Sequence, residues 1–450
     1  MSIPIYCDYK DSGIDWLGLI PRHWMLLKLK HFTQFAGGGT PSREVPSYWN
    51  GDIPWVSPKD MKTEYVVSTE EKITEDGLES STSNLIESSR VLLVVRSGIL
   101  KHTIPVAINA VPVALNQDMK ALAFNGIFCT PTFFMRWVQD LNDNLLLAWS
   151  KQGATVESIE QAYLAETIVP LPPLAEQTTI AAFLDHETAK IDALIAEQEK
   201  LIALLAEKRQ ATISHAVTRG LNPDVPMKDS GVAWLGEVPA HWEVTRLKFV
   251  ANVQTGIAKG KDTAGKETVT VPYLRVANVQ DGYLALDDVT TIDIERDQLS
   301  RYRLSPGDVL MNEGGDFDKL GRGAIWQGEI VDCIHQNHVF AVRPHAIQPA
   351  WLNRITSSQY AQFYFMGRSK QSTNLASISS TNIMELPVLM PPEGEQQAIH
   401  SFLDAETTRV DTLRAESEHA ITLLKERRSA LIAAAVTGQI DVRNFMAEAS

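Results

Sequence analysis

The chain has 450 residues, of which 44% are hydrophobic and 21% are charged, and its formal net charge is −14. This length is too great for one ordinary core and predicts two or three domains. The three cysteines stand singly along the sequence, which argues against a disulfide framework or a zinc cluster. The sequence has no apolar run long enough to span a membrane and no secretory signal pattern, so we expect a soluble, cytoplasmic protein.

The first predicted element is an N-terminal segment that the sequence later repeats. The stretch "KDSGIDWLGLIPRHW", from Lys10 to Trp24, returns as "KDSGVAWLGEVPAHW" from Lys228 to Trp242. The likeness continues in register, since Lys28-Leu29-Lys30 is answered by Arg246-Leu247-Lys248. We interpret this as the start of a duplicated unit.

The segment that follows, from Lys28 to about Val169, predicts an α+β domain. Short β-rich runs such as "SRVLLVV" are separated by Gly, Pro, Asn and Asp, as expected of strands joined by turns. Its loops carry side chains that suit phosphates, guanine or adenine, and a surface loop or turn position remains the alternative for each. The candidates are Thr40, Ser42, Lys59, Arg96, Ser97, Lys101, Asn116, Gln117, Lys120 and Lys151.

Two apparent motifs in this first domain suggest enzymes. "FAGGG", from Phe35 to Gly39, fits the loop that holds S-adenosylmethionine, but Pro41 follows where a helix would have to begin. Asp52 with Asp60-Met61-Lys62 resembles the acidic set of metal-dependent nucleases. Because that pattern is short, a solvated loop explains it as well, and a nuclease stays an alternative. We expect no catalytic site, no metal site and no bound cofactor in this chain.

A long helix is predicted next, after Pro172-Pro173. It opens the stretch "PPLAEQTTIAAFLDHETAKID", which is answered after Pro391-Pro392 by "PPEGEQQAIHSFLDAETTRVD". Apolar residues recur with heptad spacing and predict a coiled coil, made within the chain or between two chains. A coiled-coil scaffold that binds no nucleic acid therefore stays a second alternative for the function. The predicted rows are Leu184, Ile191 and Leu205 with Leu194 and Leu201, and then Leu403, Val410, Leu424 and Leu431 with Leu413 and Ala420. A helix of roughly 40 residues spans about 60 Å.

The second middle segment, from Arg246 to about Val388, predicts another α+β domain of nearly equal length but different sequence. Its strand-like runs include "VPYLRVANV", "GDVLMNE" and "HVFAV". "GIAKGK", from Gly256 to Lys261, lacks the spacing and the Ser or Thr of a P-loop. The candidate nucleic-acid contacts are Lys259, Lys261, Arg275, Asn278, Asn312, Arg322, Gln336, Asn337, His338 and Lys370. "NQD" at Asn116 and "QNH" at Gln336 hold nearly the same place in each copy.

Taken together, the doubled "WLG…P.HW" entry, "WNGDIPW" (Trp49 to Trp55), "GDVL" (Gly307 to Leu310) and the doubled "PP…EQ…I…FLD.ET…ID" helix start resemble the specificity subunit of type I restriction-modification systems. The resemblance covers essentially the whole chain. It implies two target recognition domains, each reading one half of a split, asymmetric double-stranded DNA sequence, and two long antiparallel helices that separate them.

The resemblance also implies partners and domain boundaries. The partners would be two methyltransferase subunits, which use S-adenosylmethionine on adenine, and restriction subunits, which use ATP and Mg²⁺. An acidic chain is an unusual DNA partner, so we expect the helix carboxylates to face protein partners and the domain lysines and arginines to face DNA. The expected segments are 1–27 (N-terminal segment), 28–172 (first recognition domain), 173–219 (central helix), 220–245 (repeat of the N-terminal segment), 246–391 (second recognition domain), 392–438 (C-terminal helix) and 439–450 (tail).

Overall fold

The computed structural model describes residues 4–151, 156–260, 265–315, 320–371 and 376–445. The chain divides into two compact units, one formed by Met1–Gln198 with His419–Ser450 and the other by Glu199–Glu418. Each unit therefore contains part of both long helices, whereas the sequence predicted each helix as a segment of its own. In the described ranges, no helix is apolar over enough of its length to cross a membrane.

The first unit is an α+β structure that begins with short antiparallel strands and ends in a long helix. Its 3-10 turns are Leu29–His31, Pro46–Tyr48, Pro58–Asp60 and Gly98–Lys101. Its strands are β1 (Tyr9–Asp11), β2 (Leu19–Pro21), β3 (Met25–Lys28), β4 (Thr33–Gly37), β5 (Trp49–Val56), β6 (Tyr65–Val66), β7 (Glu71–Ile73), β8 (Val91–Val94), β9 (Val106–Asn109), β10 (Ala114–Leu115), β11 (Met119–Phe124) and β12 (Ile168–Leu171). Its helices are α1 (Glu75–Glu79), α2 (Pro131–Asp140), α3 (Asn142–Trp149), α4 (Gln161–Glu166) and the start of α5 (Leu174–Arg219).

The second unit repeats this order, with additional short strands. Its 3-10 turns are Leu247–Phe249, Val276–Asn278 and Arg296–Gln298. Its strands are β13 (Met227–Asp229), β14 (Glu237–Pro239), β15 (Glu243–Arg246), β16 (Ala251–Thr255), β17 (Thr268–Leu274), β18 (Thr290–Glu295), β19 (Val309–Asn312), β20 (Gly314–Gly315), β21 (Gly323–Ile325), β22 (Ile334–His335), β23 (Val339–Pro344), β24 (Lys370–Gln371), β25 (Ala376–Ser377) and β26 (Pro387–Met390). Its helices are α6 (Leu299–Tyr302), α7 (Pro349–Thr356), α8 (Gln359–Arg368), α9 (Ser380–Met384) and the start of α10 (Glu393–Val436).

The two α+β domains share their sheet topology apart from one edge strand, β6, which confirms the predicted α+β class and the internal repeat. The main sheet has the order β4-β11-β8-β9-β6 in the first unit and β16-β23-β19-β21 in the second. A smaller sheet has the order β10-β5-β7 in the first and β22-β17-β18 in the second. In both copies the central strand of this smaller sheet is parallel to one neighbouring strand and antiparallel to the other. The central strands β8 and β19 are buried along their whole length, because both faces of the sheet are covered.

A carboxylate at the start of each long helix explains the repeated His-Trp dipeptide. The Glu176 carboxylate is buried and accepts hydrogen bonds from Tyr6 O–H (2.6 Å) and Trp24 Nε1–H (2.8 Å), and His23 Nε2 lies 2.8 Å from it. Burial, followed by the bond to Glu176, raises the pKa of Tyr6 and keeps its hydroxyl protonated. The repeated motif therefore fastens the N-terminal segment to the helix.

The second copy repeats this set of hydrogen bonds around a carboxylate that is more exposed. His241 Nε2 and Trp242 Nε1 lie 2.7 and 3.1 Å from Glu395 Oε2. The glutamine next to each glutamate binds carbonyl oxygens at the helix entry, as Gln177 Nε2 does at Pro172 (2.9 Å) and Gln396 Nε2 at Pro391 (2.8 Å). The "EQ" of the motif is thus a structural pair that fixes where each helix begins.

The long helices run antiparallel within each unit. In the first unit, Asp192 pairs with Arg428 (3.0 Å) and Phe183 packs edge-on against Phe445. In the second, Asp411 pairs with Arg209 (3.3 Å), at the corresponding position of the repeat. The last aspartate of the "FLD.ET…ID" motif therefore links one helix to the other in both units.

The predicted apolar rows are confirmed in part and corrected in part. Leu184, Ile191 and Leu205 are buried, but Leu194 and Leu201 are exposed, as is Leu413 in the second helix. Ile195 and Ile202, one position further on, are the less exposed members of each adjacent pair. The inward row therefore alternates spacings of four and three residues, from Leu184 through Thr188, Ile191, Ile195, the half-buried Gln198 and Ile202 to Leu205. Because leucine and isoleucine stand side by side, heptad counting alone did not separate them.

The first aspartate of the same motif joins each α+β domain to its own helix. Arg136 of α2 is buried and donates from Nη2 to Asp185 (2.7 Å) and Glu64 (2.9 Å). Arg354 of α7, its counterpart, bonds Asp404. Apolar packing accompanies each pair, since Phe183 and Leu184 join the core of the first unit, and Ile399 and Leu403 join that of the second. Each domain is therefore fixed on its helix by both shape and charge.

Candidate nucleic-acid interface

Two glycines at corresponding positions hold the loops that carry "NQD" and "QNH". A Cβ atom on Gly38 would lie 2.2 Å from the carbonyl oxygens of Leu115 and Asn116, and one on Gly256 would lie 2.1 Å from that of His335. Only glycine permits this approach of two backbones. The residue after each glycine then hydrogen-bonds the approaching backbone, since Gly39 N donates to Leu115 O (2.9 Å) and Ile257 N donates to His335 O (3.0 Å).

In the first unit, five candidates lie around one end of the main sheet, and we name this set the first edge. Thr40 Oγ1 donates to Gln117 Oε1, and Arg96 Nε lies 4.0 Å from the carboxylate of the adjoining Asp118. Backbone pairing places Lys151 near Arg96, since Arg96 forms a β-bridge with Ser158 and Lys151 N donates to Ser158 O (2.9 Å). The members of the first edge are Thr40, Arg96, Ser97, Gln117 and Lys151.

In the second unit, the corresponding end of the sheet gathers a different set, which we name the second edge. His338 Nδ1 lies 2.7 Å from Glu313 Oε2, and Asn337 Nδ2 lies 3.3 Å from His338 Nε2. The small sheet β20-β25-β24 carries Lys370 to the same place, and His338 and Lys370 line one open cleft of about 500 Å³. The members of the second edge are Glu313, Gln336, Asn337, His338 and Lys370.

Three of the predicted asparagines have structural roles instead. Asn116, Asn278 and Asn312 are buried. Asn116 Oδ1 accepts from Asp118 N (2.9 Å), and Asn278 Nδ2 donates to the carbonyls of Ala285 and Asp288. Asn312 Nδ2 donates to the carbonyl oxygen of Val279 (2.9 Å). Turn-forming asparagines hold these loops in shape, and we remove all three from the candidate interface.

The remaining candidates are distributed more widely. Arg275 donates to Asp288 (2.8 Å), and the amine of Lys120 bonds Gln161 while burial lowers its pKa. Ser42 accepts from Glu44 N (3.3 Å), and Arg322 offers its carbonyl to Asn312 N (3.2 Å). Three lysines are exposed, with no contact that joins them to either edge: Lys59, Lys101 and Lys259. Lys261 lies outside the described residues.

Sequence reasoning missed charged residues beside both edges. The Arg43 guanidinium lies 3.9 Å from the Trp49 ring centre and donates to Glu71 (2.9 Å). Trp49 and Trp55, from the "WNGDIPW" motif, donate to the carbonyls of Ser42 and Gly39, so this motif shapes the loop after Gly38. Glu313 and Asp118 were also missed, because acidic residues were not sought at a DNA surface.

A buried histidine next to the second edge has a structural role. His335 is fully buried, its Nδ1 lies 2.7 Å from Val339 O, and burial lowers its pKa. The neutral ring therefore donates to that carbonyl and holds the "HQNH" turn.

The acidic residues of the long helices are less available to partners than their number suggested. Six of the nine that we expected to face partner subunits form ion pairs within the chain. These are Glu187, Asp192, Asp404, Glu406, Asp411 and Glu418; the others are Glu197, Glu199 and Glu416. Much of the helix charge thus serves the fold.

Two members of the alternative nuclease set, Asp60 and Lys62, are engaged in local structure, and the third, Asp52, is exposed. Asp60 accepts hydrogen bonds from Ser57 N (2.8 Å) and Glu70 N (2.8 Å), which caps a short turn, and Lys62 pairs with Glu70 (2.9 Å). Over the described residues, no group of three or more His, Cys, Asp or Glu side chains is arranged to hold a metal ion.

Comparison with characterised proteins gives consistent matches along the chain. The specificity subunit of the Escherichia coli type I restriction enzyme EcoR124I/EcoR124II is 40% identical over 179 residues, which are 39% of this chain and 41% of that relative. The MjaIX specificity subunit of Methanocaldococcus jannaschii is 24% identical and covers 97% of this chain and 98% of its own length.

Solved structures show the same fold. A chain from a type I R-M system, solved in work on complex assembly and conformational transition, matches with a TM-score of 0.65 and 18% identity, over 93% of this chain and 98% of that one. The HsdS subunit from Thermoanaerobacter tengcongensis matches with a TM-score of 0.53 and 17% identity, over 94% and 98%.

The model of one protein family matches the chain twice, at residues 21–203 and 239–422, and its description is "Type I restriction modification DNA specificity domain". These two matches lie one in each half of the duplicated sequence and together span most of the chain. This protein therefore belongs to the family of type I restriction modification DNA specificity domains.

Proposed function

We propose that the chain reads a bipartite, asymmetric DNA sequence, with one half-site recognised by each edge. One observation carries the proposal: two edges built on the same scaffold present different side chains at corresponding positions. Asp118 of the first copy corresponds to His338 of the second, because the carbonyl oxygen of each accepts from the residue that follows the central strand, Val95 N (2.8 Å) and Glu313 N (2.9 Å) respectively. A duplicated frame with divergent contacts is what two dissimilar half-sites require.

The chemistry of each edge suits direct recognition of bases. Arginine and lysine match guanine acceptors and phosphates, while glutamine and asparagine can form paired bonds with adenine. Glu313 holds His338 by its Nδ1 atom, which orients the ring and leaves Nε2 toward Asn337. We assign sequence contacts to Gln117, Arg96, Asn337 and His338, and phosphate contacts to Lys151 and Lys370.

Within an assembly, this chain would supply recognition and its partners would supply catalysis. We propose two methyltransferase subunits, which use S-adenosylmethionine, and restriction subunits, which use ATP and Mg²⁺. Such a subunit works where its DNA is, and we propose the cytoplasm. The chain itself would hold no cofactor.

The test uses the methylated sequence motif as its readout. Gln117→Ala and His338→Ala are introduced separately, and the adenines that the assembled methyltransferase modifies are mapped by sequencing. Each substitution should relax the base preference in one half of the motif and leave the other half unchanged, because each edge acts alone. Relaxation of both halves by one substitution, or a continuous motif without an unspecified middle, would refute the proposal.

The nuclease alternative is tested on the chain alone. Purified chain incubated with plasmid DNA and Mg²⁺ should leave the plasmid intact, and cleavage that Asp60→Ala removes would favour the nuclease. A coiled-coil scaffold that binds no nucleic acid predicts instead that the unmodified chain has no measurable affinity for DNA, so that Lys151→Ala and Lys370→Ala have nothing to reduce.

A further inference from the structure

The second edge carries a carboxylate at a position where the first copy has an apolar side chain. Glu313 follows β19 as Val95 follows β8. Glu313 N donates to His338 O (2.9 Å), and Glu313 O accepts from Ile378 N (2.9 Å). The same two backbone hydrogen bonds form at Val95, both at 2.8 Å. Because the backbone is held in the same way in both copies, the difference lies in the side chain.

The charges beside this position are also exchanged between the copies. The next residue is Arg96 in the first copy and Gly314 in the second. The turn that follows the glycine contact carries Asp118 in the first copy, 4.0 Å from the Arg96 guanidinium, and His338 in the second. The first edge therefore takes its cation from the segment after the central strand and its acid from the turn. The second edge reverses this arrangement.

The Glu313 carboxylate is only partly satisfied by its histidine. Its side chain is 27% exposed, and Oε2 accepts from His338 Nδ1 (2.7 Å). Within the ranges that the structure describes, no residue donates to Oε1. The amide nitrogen of Asn337 lies 3.3 Å from the other ring nitrogen, so that side of the histidine is already engaged. A partly buried carboxylate oxygen without a donor is costly, and a ligand that supplies a donor would remove this cost.

The major groove offers such a donor only on certain bases. Adenine N6 and cytosine N4 are exocyclic amines, whereas guanine and thymine present acceptors there. A reversed base pair would place an acceptor against the carboxylate and would be rejected by repulsion. Lys370 lines the same open cleft as Glu313 and His338, and its charge offsets the repulsion between the carboxylate and DNA phosphates. The second edge is therefore suited to an amine.

We propose that Glu313 recognises an exocyclic amine, of adenine or of cytosine, in the second half-site, and that His338 holds its carboxylate in place. This inference rests on the proposed function and assigns a base chemistry to one edge. In the first edge, where Arg96 stands beside the corresponding position, a guanidinium faces guanine acceptors instead. The exchange of charge between the copies then explains why the two half-sites differ.

The first test gives the second copy the residue of the first. Glu313→Val installs the side chain that the same backbone carries at Val95, so the fold should be retained. Glu237→Leu is the control, because it removes the same charge from an exposed position of β14, where the first copy has Leu19. Each chain is assembled with the methyltransferase subunit, and its binding to a library of DNA sites is measured.

The expected change is confined to one position of one half-site. There the preference for adenine or cytosine should fall about tenfold in Glu313→Val, while the other half-site keeps its preferences. The control should match the unmodified chain at every position. If Glu313→Val instead raised the affinity for all sequences equally, Glu313 would act through charge alone and the proposal would be wrong.

The second test leaves the chain unmodified and changes the DNA. In the half-site that His338→Ala relaxes, each adenine is replaced by purine and each cytosine by pyrimidin-2-one, which removes the exocyclic amine. One replacement should weaken binding of the unmodified chain about tenfold and have little effect on Glu313→Val, because the amine has no partner in that variant. Purine identifies adenine as the base that is read, and pyrimidin-2-one identifies cytosine.

The outcomes separate this inference from the function on which it rests. If no replacement weakened binding, or if each weakened both chains equally, the role of Glu313 would be overturned while bipartite reading stood. If neither Gln117→Ala nor His338→Ala altered the motif, the proposed function itself would fail. Circular dichroism, together with the retained preference of the first half-site, checks that Glu313→Val is folded.

Discussion

At the scale of single residues, the repeated motifs are mostly structural. The glutamate of each "EQ" pair binds the His-Trp dipeptide, and the two aspartates that follow bind a recognition domain and the opposite helix. A charge-assisted hydrogen bond to a buried group such as Glu176 contributes about 1.5–3 kcal/mol, whereas an exposed pair such as Asp192–Arg428 contributes about 0–1 kcal/mol. These residues recur because both copies need the same frame, whereas the residues that differ lie at the edges.

The glycines under each edge provide a matched experiment. Gly38→Ala should force the turn at Asn116 to move, because the new Cβ would overlap two carbonyl oxygens, and we expect a stability cost of about 1–3 kcal/mol. Gly37→Ala is the control, since nothing lies within 4 Å of a Cβ there. DNA affinity measured by fluorescence anisotropy should fall for Gly38→Ala only. Equal affinities for the two variants would contradict this role of Gly38.

At the scale of elements, the long helices show what periodicity predicts and what it leaves open. Their bounds, Leu174–Arg219 and Glu393–Val436, begin within one residue of the predicted helix spans. Gly220 and Gly438, both at positive φ, follow their C-terminal ends, as helix C-caps commonly do. Which residue of each adjacent leucine–isoleucine pair points inward depends on the packing of the partner helix and of the domain core.

Two adjacent leucines test that facing directly. Leu205 is buried and Leu204 is half exposed. The same substitution at both positions therefore compares an inward-facing leucine with an outward-facing one. Leu205→Ala should lower the free energy of unfolding by about 2–3 kcal/mol, and Leu204→Ala by less than about 0.5 kcal/mol. Chemical denaturation followed by circular dichroism gives both values. A reversed order would place Leu204 in the inward row and refute the assignment of faces.

At the scale of the whole molecule, an acidic chain is compatible with DNA recognition because its charges are arranged unevenly. The net charge of −14 includes many carboxylates on the long helices, and six of the nine named above are paired within the chain. Lys151 and Lys370 stand at the edges. Few phosphate contacts then give a modest dependence of affinity on salt, and base contacts carry more of the specificity.

The salt dependence of binding tests this arrangement. Lys370→Ala should weaken DNA binding and reduce the slope of log K against log salt by about one, because one phosphate contact is lost. Lys190→Ala removes the same charge from a long helix, where Lys190 pairs with Glu187 (2.7 Å), and should leave the slope unchanged. Identical slopes for the two variants would mean that Lys370 does not contact the DNA backbone.

The sequence by itself determined the duplication, the α+β class, the two long helices and the family, because these depend on local periodicity, turn residues and motif spacing. Only the tertiary structure decided which candidates are available. It buried Asn116, Asn278 and Asn312, turned Leu194 and Leu201 outward, and grouped His338 with Glu313 and Lys370 from distant parts of the chain. The physical reason is that exposure and contact depend on which strands and helices pack together, and a loop residue carries no local signal of what the fold will place beside it.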